Sequence, residues 1–195
     1  MTKTILTHED IMDMAAYAEV RQKHRTQMMA KKKNRRLHCG PHATFYFENF
    51  DTMWHQVHEM LFIEKGGAEQ IVDELHAYNP LIPNGHELVA TLMFEIDNPI
   101  LRADFLNKAG GIEEKVYMQV AEEKIKAVSE MDVDRTSAVG KASSVQFVHF
   151  NFSDEQIKKF KDSNTQVIIS INHSLYNYMT EISKDIKKAL IKDFI

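Results

Sequence analysis

The chain has one cysteine, one tryptophan, four prolines and seven glycines in 195 residues. A single cysteine excludes an internal disulfide framework and fits a reducing compartment. So few glycines and prolines exclude a fibrous or linker-rich chain. No stretch approaches 18 uninterrupted apolar residues, so no transmembrane helix is expected. The start, MTKTILTHEDIMDM, lacks the basic-then-apolar order of a secretory signal, and the expected location is the cytoplasm. Surplus positive charge is missing too. The 24 Lys and Arg stand against 28 Asp and Glu, a net charge of -4, which argues against general nucleic-acid binding. GxGxxG, Walker and GxSxG motifs are absent, as is any Cys-His signature of nucleophilic catalysis.

What is present is a 44% apolar chain whose length suits one domain, 1–195. Its 1–80 part reads as mainly helical and its 81–195 part as sheet-rich. THEDIMDMAAYAEVRQKHRTQMMAKKKNRR reads as one long helix capped by Thr7, with Tyr17, Arg21, Arg25 and Met28 on one face. RRLHCG and ATFYFEN are short strands on either side of Gly40-Pro41. DTMWHQVHEMLFIEK is a second helix, capped by Asp51 or Thr52 and stopped by Gly66-Gly67. AEQIVDELHAY is a third. NPLIPNG breaks the chain, and Leu81 and Ile82 are expected to anchor that connection.

HELVATLMFEI alternates as a strand, with Leu88, Ala90, Leu92, Phe94 and Ile96 on one face. NPILRADFLNKAGG is a short helix. KVYMQVA and KIKAVSEM form a hairpin around Glu122-Glu123, and DVDRTSAVGKAS is a polar loop. SVQFVHFNF is the strongest strand. A helix SDEQIKKFKD, a strand TQVIISINH and a helix SLYNYMTEISKDIKKALIKDF follow. Closely spaced strands without regular helical crossovers predict an α+β fold: a mostly antiparallel sheet with N-terminal helices and a C-terminal helix packed on it.

Charge is unevenly placed. Arg21 to Arg36 holds eight Lys or Arg and no acid, while Phe47 to Leu75 holds seven acids and one Lys. These segments either pair or form a basic surface for an anionic partner. On a helical wheel Met53, Trp54, Val57, Met60 and Leu61 share one face, and Glu64 falls on it; His55, Gln56 and Glu59 fall elsewhere. A carboxylate on a buried stripe needs a partner. Arg21 and Arg25 are the expected partners of Glu64, either as an internal salt bridge or as forked donors to a bound anion.

A metal site is the competing reading, since His38, Cys39, His42, His55 and His58 lie close in sequence and suit zinc, iron or copper. HQVHE lacks the i, i+4 pair of a zincin helix, and alternation along RRLHCG points His38 and Cys39 to opposite faces, so no bound metal is the expectation. Cys39 reads as a small buried residue, or as a redox thiol favoured by Arg35, Arg36 and His38.

Several motifs resemble a bacterial family catalogued as a domain of unknown function, family 3501. They are Tyr17, Arg21 and Arg25; the basic run from Lys31 to Arg36 before Gly40-Pro41; Phe47, Glu48, Thr52, Gln56, Glu59, Met60 and Glu64; YNPLIP from Tyr78 to Pro83; and Ser144, Val145 and Phe147. The resemblance runs along nearly the whole chain, and Cys39, His55 and His58 lie outside its pattern. It implies an association with rubrerythrin-like and iron–sulfur oxidoreductase proteins, hence a setting near peroxide, iron or electron-transfer chemistry. No cofactor is implied.

The expected function is therefore a binding or accessory role in a redox or oxidative-stress module. The expected ligand- or partner-binding residues are Tyr17, Arg21, Arg25, Arg35, Arg36, Gln56, Glu59 and Glu64. The alternatives are an enzyme acting on a small anionic substrate, metal-dependent through the His/Cys cluster, and an assembly subunit whose basic helix docks an acidic partner. A homo-oligomer is compatible with either.

Overall fold

The computed structural model describes residues 3–130 and 141–195, so the expected polar loop falls largely outside the described residues. The N-terminal helix begins later than its pattern suggests. Thr7 caps only a short 3-10 turn, His8–Asp10. Helix α1 runs Met14–Lys33, with the Asp13 side chain accepting from the amides of Ala15 and Ala16. The delay has a cause. The Asp10 carbonyl accepts from Trp54 Nε1 at 2.8 Å, and the Met12 amide donates to His58 Nε2 at 3.0 Å. Backbone groups that would propagate a helix are spent on its neighbour.

The two expected strands, β1 (Arg36–Cys39) and β2 (Ala43–Phe47), pair with each other as a hairpin. Helix α2 (Phe50–Glu64) is capped by Asn49, not by Asp51 or Thr52; Thr52 instead returns its hydroxyl to the Asn49 amide in a capping box. Lys65, in the left-handed region at φ 57°, ends it, and α3 (Gly67–Tyr78) follows at once. The YNPLIP connection is anchored as expected: Leu81 and Ile82 are buried.

The remaining elements are β3 (Glu87–Phe94), α4 (Pro99–Lys108), β4 (Val116–Val120), β5 (Glu123–Lys126), β6 (Val128–Ser129), β7 (Val145–Asn151), α5 (Asp154–Lys161), β8 (Val167–His173), β9 (Tyr176–Glu181) and α6 (Lys184–Leu190). The fold is α+β, and every strand pair among the described residues is antiparallel. Among the described residues there are two sheets, ordered β1-β2-β3-β7-β6 and β5-β4-β8-β9. The first draws strands from both the N-terminal and the C-terminal part of the chain.

One expected element is wrong in type. Tyr176–Glu181 is a strand, not the start of the C-terminal helix. A tight turn at Ser174-Leu175 reverses the chain, and β9 pairs back along β8 from His173↔Tyr176 to Ile168↔Glu181. Tyr, Met and Thr suit a pleated edge, and Ser183 caps a helix of its own, α6. The first hairpin of the second sheet turns at Ala121-Glu122, because Glu123 already pairs with Val120.

Alternation sorts β3 between two cores. Leu88, Ala90, Leu92 and Phe94 join a large core shared with the second sheet, α5 and α6. Val89 joins a smaller one under α2, with Met53, Val57, Leu61 and Leu81. The strand is therefore buried on both sides, as its near-continuous apolar run requires. A tyrosine ties the two sheets together. Tyr176 Oη accepts from the amides of His42 and Ala43, both at 2.9 Å, and donates to the Cys39 carbonyl at 2.7 Å. Gly40, at φ +73°, makes room: a Cβ there would lie 2.6 Å from the hydroxyl. Among the described residues no helix is long and apolar enough to cross a membrane.

Candidate functional site

The Arg/Glu constellation exists, with a different glutamate. Glu59 of α2 takes both forks of Arg21, Nε at 2.9 Å and Nη2 at 2.8 Å, and the Tyr17 hydroxyl at 2.9 Å. Arg21 also lies over the Phe62 ring, 4.5 Å from its centroid. Glu64 is exposed and accepts from Gln70 Nε2 at 2.8 Å, so it is neither buried nor the partner of Arg21. Arg25 is exposed. The wheel misplaces these residues because α2 has two covered faces. Met53, Val57 and Leu61 pack in the small core, while His58 and Glu59 turn toward α1. The Arg21 guanidinium, with a lesser push from Tyr17, holds the Glu59 carboxyl down at about 2, while burial pushes the Tyr17 hydroxyl well above its usual value.

The histidines and Cys39 do not converge. Among the described residues no group of three His, Cys, Asp or Glu side chains could hold a metal ion. His58 is fully buried; its Nε2 accepts from the Met12 amide, so its Nδ1–H donates to the Trp54 carbonyl at 2.7 Å. Both nitrogens are spent, and burial lowers its pKa, as it does for His55. His42 sits at the β1–β2 turn, near Phe105 and Tyr176. Cys39 is no activated thiol. It points into the core, away from Arg36 and His38, and burial pushes its pKa to about 11.

Arg35 is structural as placed. Its guanidinium is buried against Asp193, donating also to the carbonyls of Phe47 and Glu48, both at 2.9 Å. Arg36 lies outside, and its Nη2 donates to His38 Nε2 at 3.2 Å. That leaves His38 Nδ1–H to donate to Thr44 Oγ1 at 2.9 Å, and Thr44 to donate to Glu95. Tyr46 donates to the same carboxylate at 2.8 Å. Burial raises the Glu95 pKa, but the Thr44 and Tyr46 hydrogen bonds outweigh it and hold it low.

A cavity of about 400 Å³ opens between the helices and the first sheet. Lys32 of α1, Tyr46 of β2, Glu48, Gln56 of α2, Tyr78 and Thr91 of β3 supply its polar groups, over an apolar floor of Met53, Leu81 and Phe147. Glu48 is 7% exposed. Its amide donates to the Val89 carbonyl and its carbonyl is held by Arg35, so the main chain is fixed. Its Oε1 accepts from Thr91 at 2.7 Å, and its Oε2 takes no hydrogen bond among the described residues. Gln56 Nε2 is 3.5 Å from the Tyr78 hydroxyl, a weak contact that leaves both groups available. Of the expected site residues only Gln56 lines this cavity. Glu48 and Lys32 stand in the motifs of the resemblance but not among the expected site residues, and Tyr46 is in neither, although a Glu between a strand and a helix cap is a visible signal for a positioned carboxyl.

None of the curated proteins compared matches the chain. It is similar to a solved structure, described as a novel protein of unknown function from Burkholderia pseudomallei K96243, with 34% identity, full coverage of both chains and a TM-score of 0.90. The model of a family described as protein of unknown function, DUF3501, matches residues 5–194. With that match spanning almost the whole sequence, the chain belongs to the DUF3501 family.

Proposed function

We propose that this protein binds a small molecule in the cavity between α2 and the first sheet. The observation that supports it is convergence. Glu48, Gln56, Tyr78, Leu81, Val145 and Phe147 come from the separate motifs on which the family resemblance rests, and all of them line this one cavity. Its volume, about 400 Å³, lies in the range of ligand sites, and its lining is largely apolar with a few polar groups. The chemistry of the walls selects the ligand. Glu48 offers an acceptor oxygen to an N–H or O–H donor, and Lys32 offers a positive charge to an anionic group. An amphiphilic molecule with a donor at one end and a negative charge at the other fits both. Anion binding thus passes to Lys32 in this reading, since Arg21 is occupied by Glu59. The redox or stress setting, with rubrerythrin-like or iron–sulfur partners, is part of the proposal on the strength of the resemblance alone.

An enzyme acting on a small anionic substrate is the second reading, and one arrangement favours it. Tyr46 of the cavity wall donates to Glu95, whose carboxylate Thr44 also holds, so a hydroxyl lining the cavity has a positioned base behind it.

Native mass spectrometry of gently purified protein, followed by thermal-shift screening of small amphiphilic acids, tests both. Binding is expected to be lost in Glu48→Gln and kept in Arg36→Ala. A ligand bound equally well by Glu48→Gln refutes the cavity as its site. Conversion of the bound molecule, slowed in Tyr46→Phe, selects the enzyme.

A further inference from the structure

A second cavity, of about 300 Å³, lies between the loop after α5 and helix α6. Among the described residues seven line it; four are lysines, Lys161, Lys184, Lys187 and Lys188, and none is acidic. Lys161, Lys184 and Lys188 are exposed, but Lys187 is 6% exposed. Its ammonium donates to the carbonyls of Asp162 at 2.6 Å and Thr165 at 2.5 Å. An ammonium has three donors, and the third meets no acceptor among the described residues. None of the four lysines is ion-paired among the described residues.

Two features need explaining together. A buried ammonium is costly; two carbonyl dipoles, the Phe160 ring 5.8 Å away and the charge of Asp162 offset only part of that cost, since burial still lowers the Lys187 pKa. Tethering the 162–165 loop accounts for Lys187 alone. It does not account for three further lysines brought around the same hollow, where their mutual repulsion raises the cost. A bound anion resolves both. Lysines act as point charges without the planar fork of arginine, so such a site selects by charge density, which a compact, multiply charged oxyanion supplies.

We propose that this cavity is a binding site for a multiply charged phosphoryl anion of about diphosphate size, with Lys187 as its floor and Lys161, Lys184 and Lys188 closing around it. The site is separate from the cavity at Glu48 and does not depend on it.

The test is calorimetric titration of the full chain with pyrophosphate, at ionic strength held constant with sodium chloride. Saturable binding at one site per chain is expected, about tenfold weaker in Lys184→Ala/Lys188→Ala. Both side chains are exposed and their removal relieves repulsion, so the double variant is expected to melt no lower than wild type when pyrophosphate is absent. Lys187→Met is expected to bind weakly as well, and Glu48→Gln to bind like wild type. Sedimentation with phosphatidylcholine vesicles, with and without phosphatidate, separates a free phosphoryl ligand from a lipid headgroup. The proposal is overturned by any of four results: no saturation up to about 10 mM pyrophosphate, unchanged affinity in the double variant, equal binding of citrate, or binding to phosphatidate vesicles only.

Discussion

Removing the Asp193 carboxylate tests what holds the chain's C-terminal turn against its first strand. Arg35 and Asp193 are 158 residues apart and pair in the interior, with side chains 6% and 3% exposed. Asp193→Ala leaves a buried guanidinium whose remaining partners are carbonyls. Breaking one side of such a pair costs about 3–5 kcal/mol. At roughly 2–4 °C per kcal/mol for a chain of this size, the melting temperature should fall by about 6–20 °C. The pair itself is a different matter. Burial pushes the Asp193 carboxyl above its usual range, and Arg35 only partly draws it back, so bringing the two charges inside consumes much of what their attraction returns. Arg35→Met/Asp193→Leu should therefore melt much closer to wild type than Asp193→Ala does. Melting curves of the three proteins decide it. A single variant within about 1 kcal/mol of wild type, or a double variant worse than the single, refutes the reasoning. Arg35 also holds the carbonyl of Glu48, so the double variant, which removes Arg35, should weaken ligand binding in the nearby cavity.

Three further outcomes are expected. Burial alone would lower the His149 pKa, but the hydrogen bond to Glu87 and the charges of Glu87 and Glu130 outweigh it and raise it above 6.5. The resulting stabilisation is full below the unfolded pKa and lost as pH rises through the folded one. The melting gap between wild type and His149→Gln should thus be widest at acid pH and close above neutrality; a gap constant from pH 5 to about 8.5 counts against it. Glu59 behaves oppositely, because its pKa is lowered to about 2. Its contribution is present above the unfolded value of 4.5 and fades as pH falls toward 2, so Glu59→Gln should melt below wild type at pH 7 and match it near pH 2. Cys39, buried with a pKa near 11, should resist a thiol reagent in the native protein and react at once in urea; complete labelling of native protein within minutes would show an opening not present here.

Much of the architecture was legible in residue order. The strands β1 and β2, the alternation of β3 and the anchoring of Leu81 and Ile82 follow from local pattern alone. What escaped was set by distant partners. Helix α1 starts late because Trp54 and His58 claim backbone groups before it, and nothing near Thr7 reveals them. The wheel assigned Glu64 because it assumes one buried face, whereas α2 packs on both the sheet and α1. Strand β9 was merged into a helix because TEISKDIKKAL continues with helical spacing; only pairing with β8 separates them. The cavity at Glu48 is assembled from eight separate elements or connections, and no single segment shows it.

The Tyr176 hydroxyl has a consequence for how the protein is made. It completes a turn formed by residues 133 to 137 positions earlier. At roughly 5–20 residues per second, a ribosome that has just released the β1–β2 turn needs about 7–27 s more to supply Tyr176. Through that interval the amides of His42 and Ala43 have no hydroxyl to donate to, and the β1–β2 turn stays open to a neighbouring nascent chain. Spacing the chains out by slower initiation should therefore raise soluble yield more than slower elongation, which only prolongs the exposure.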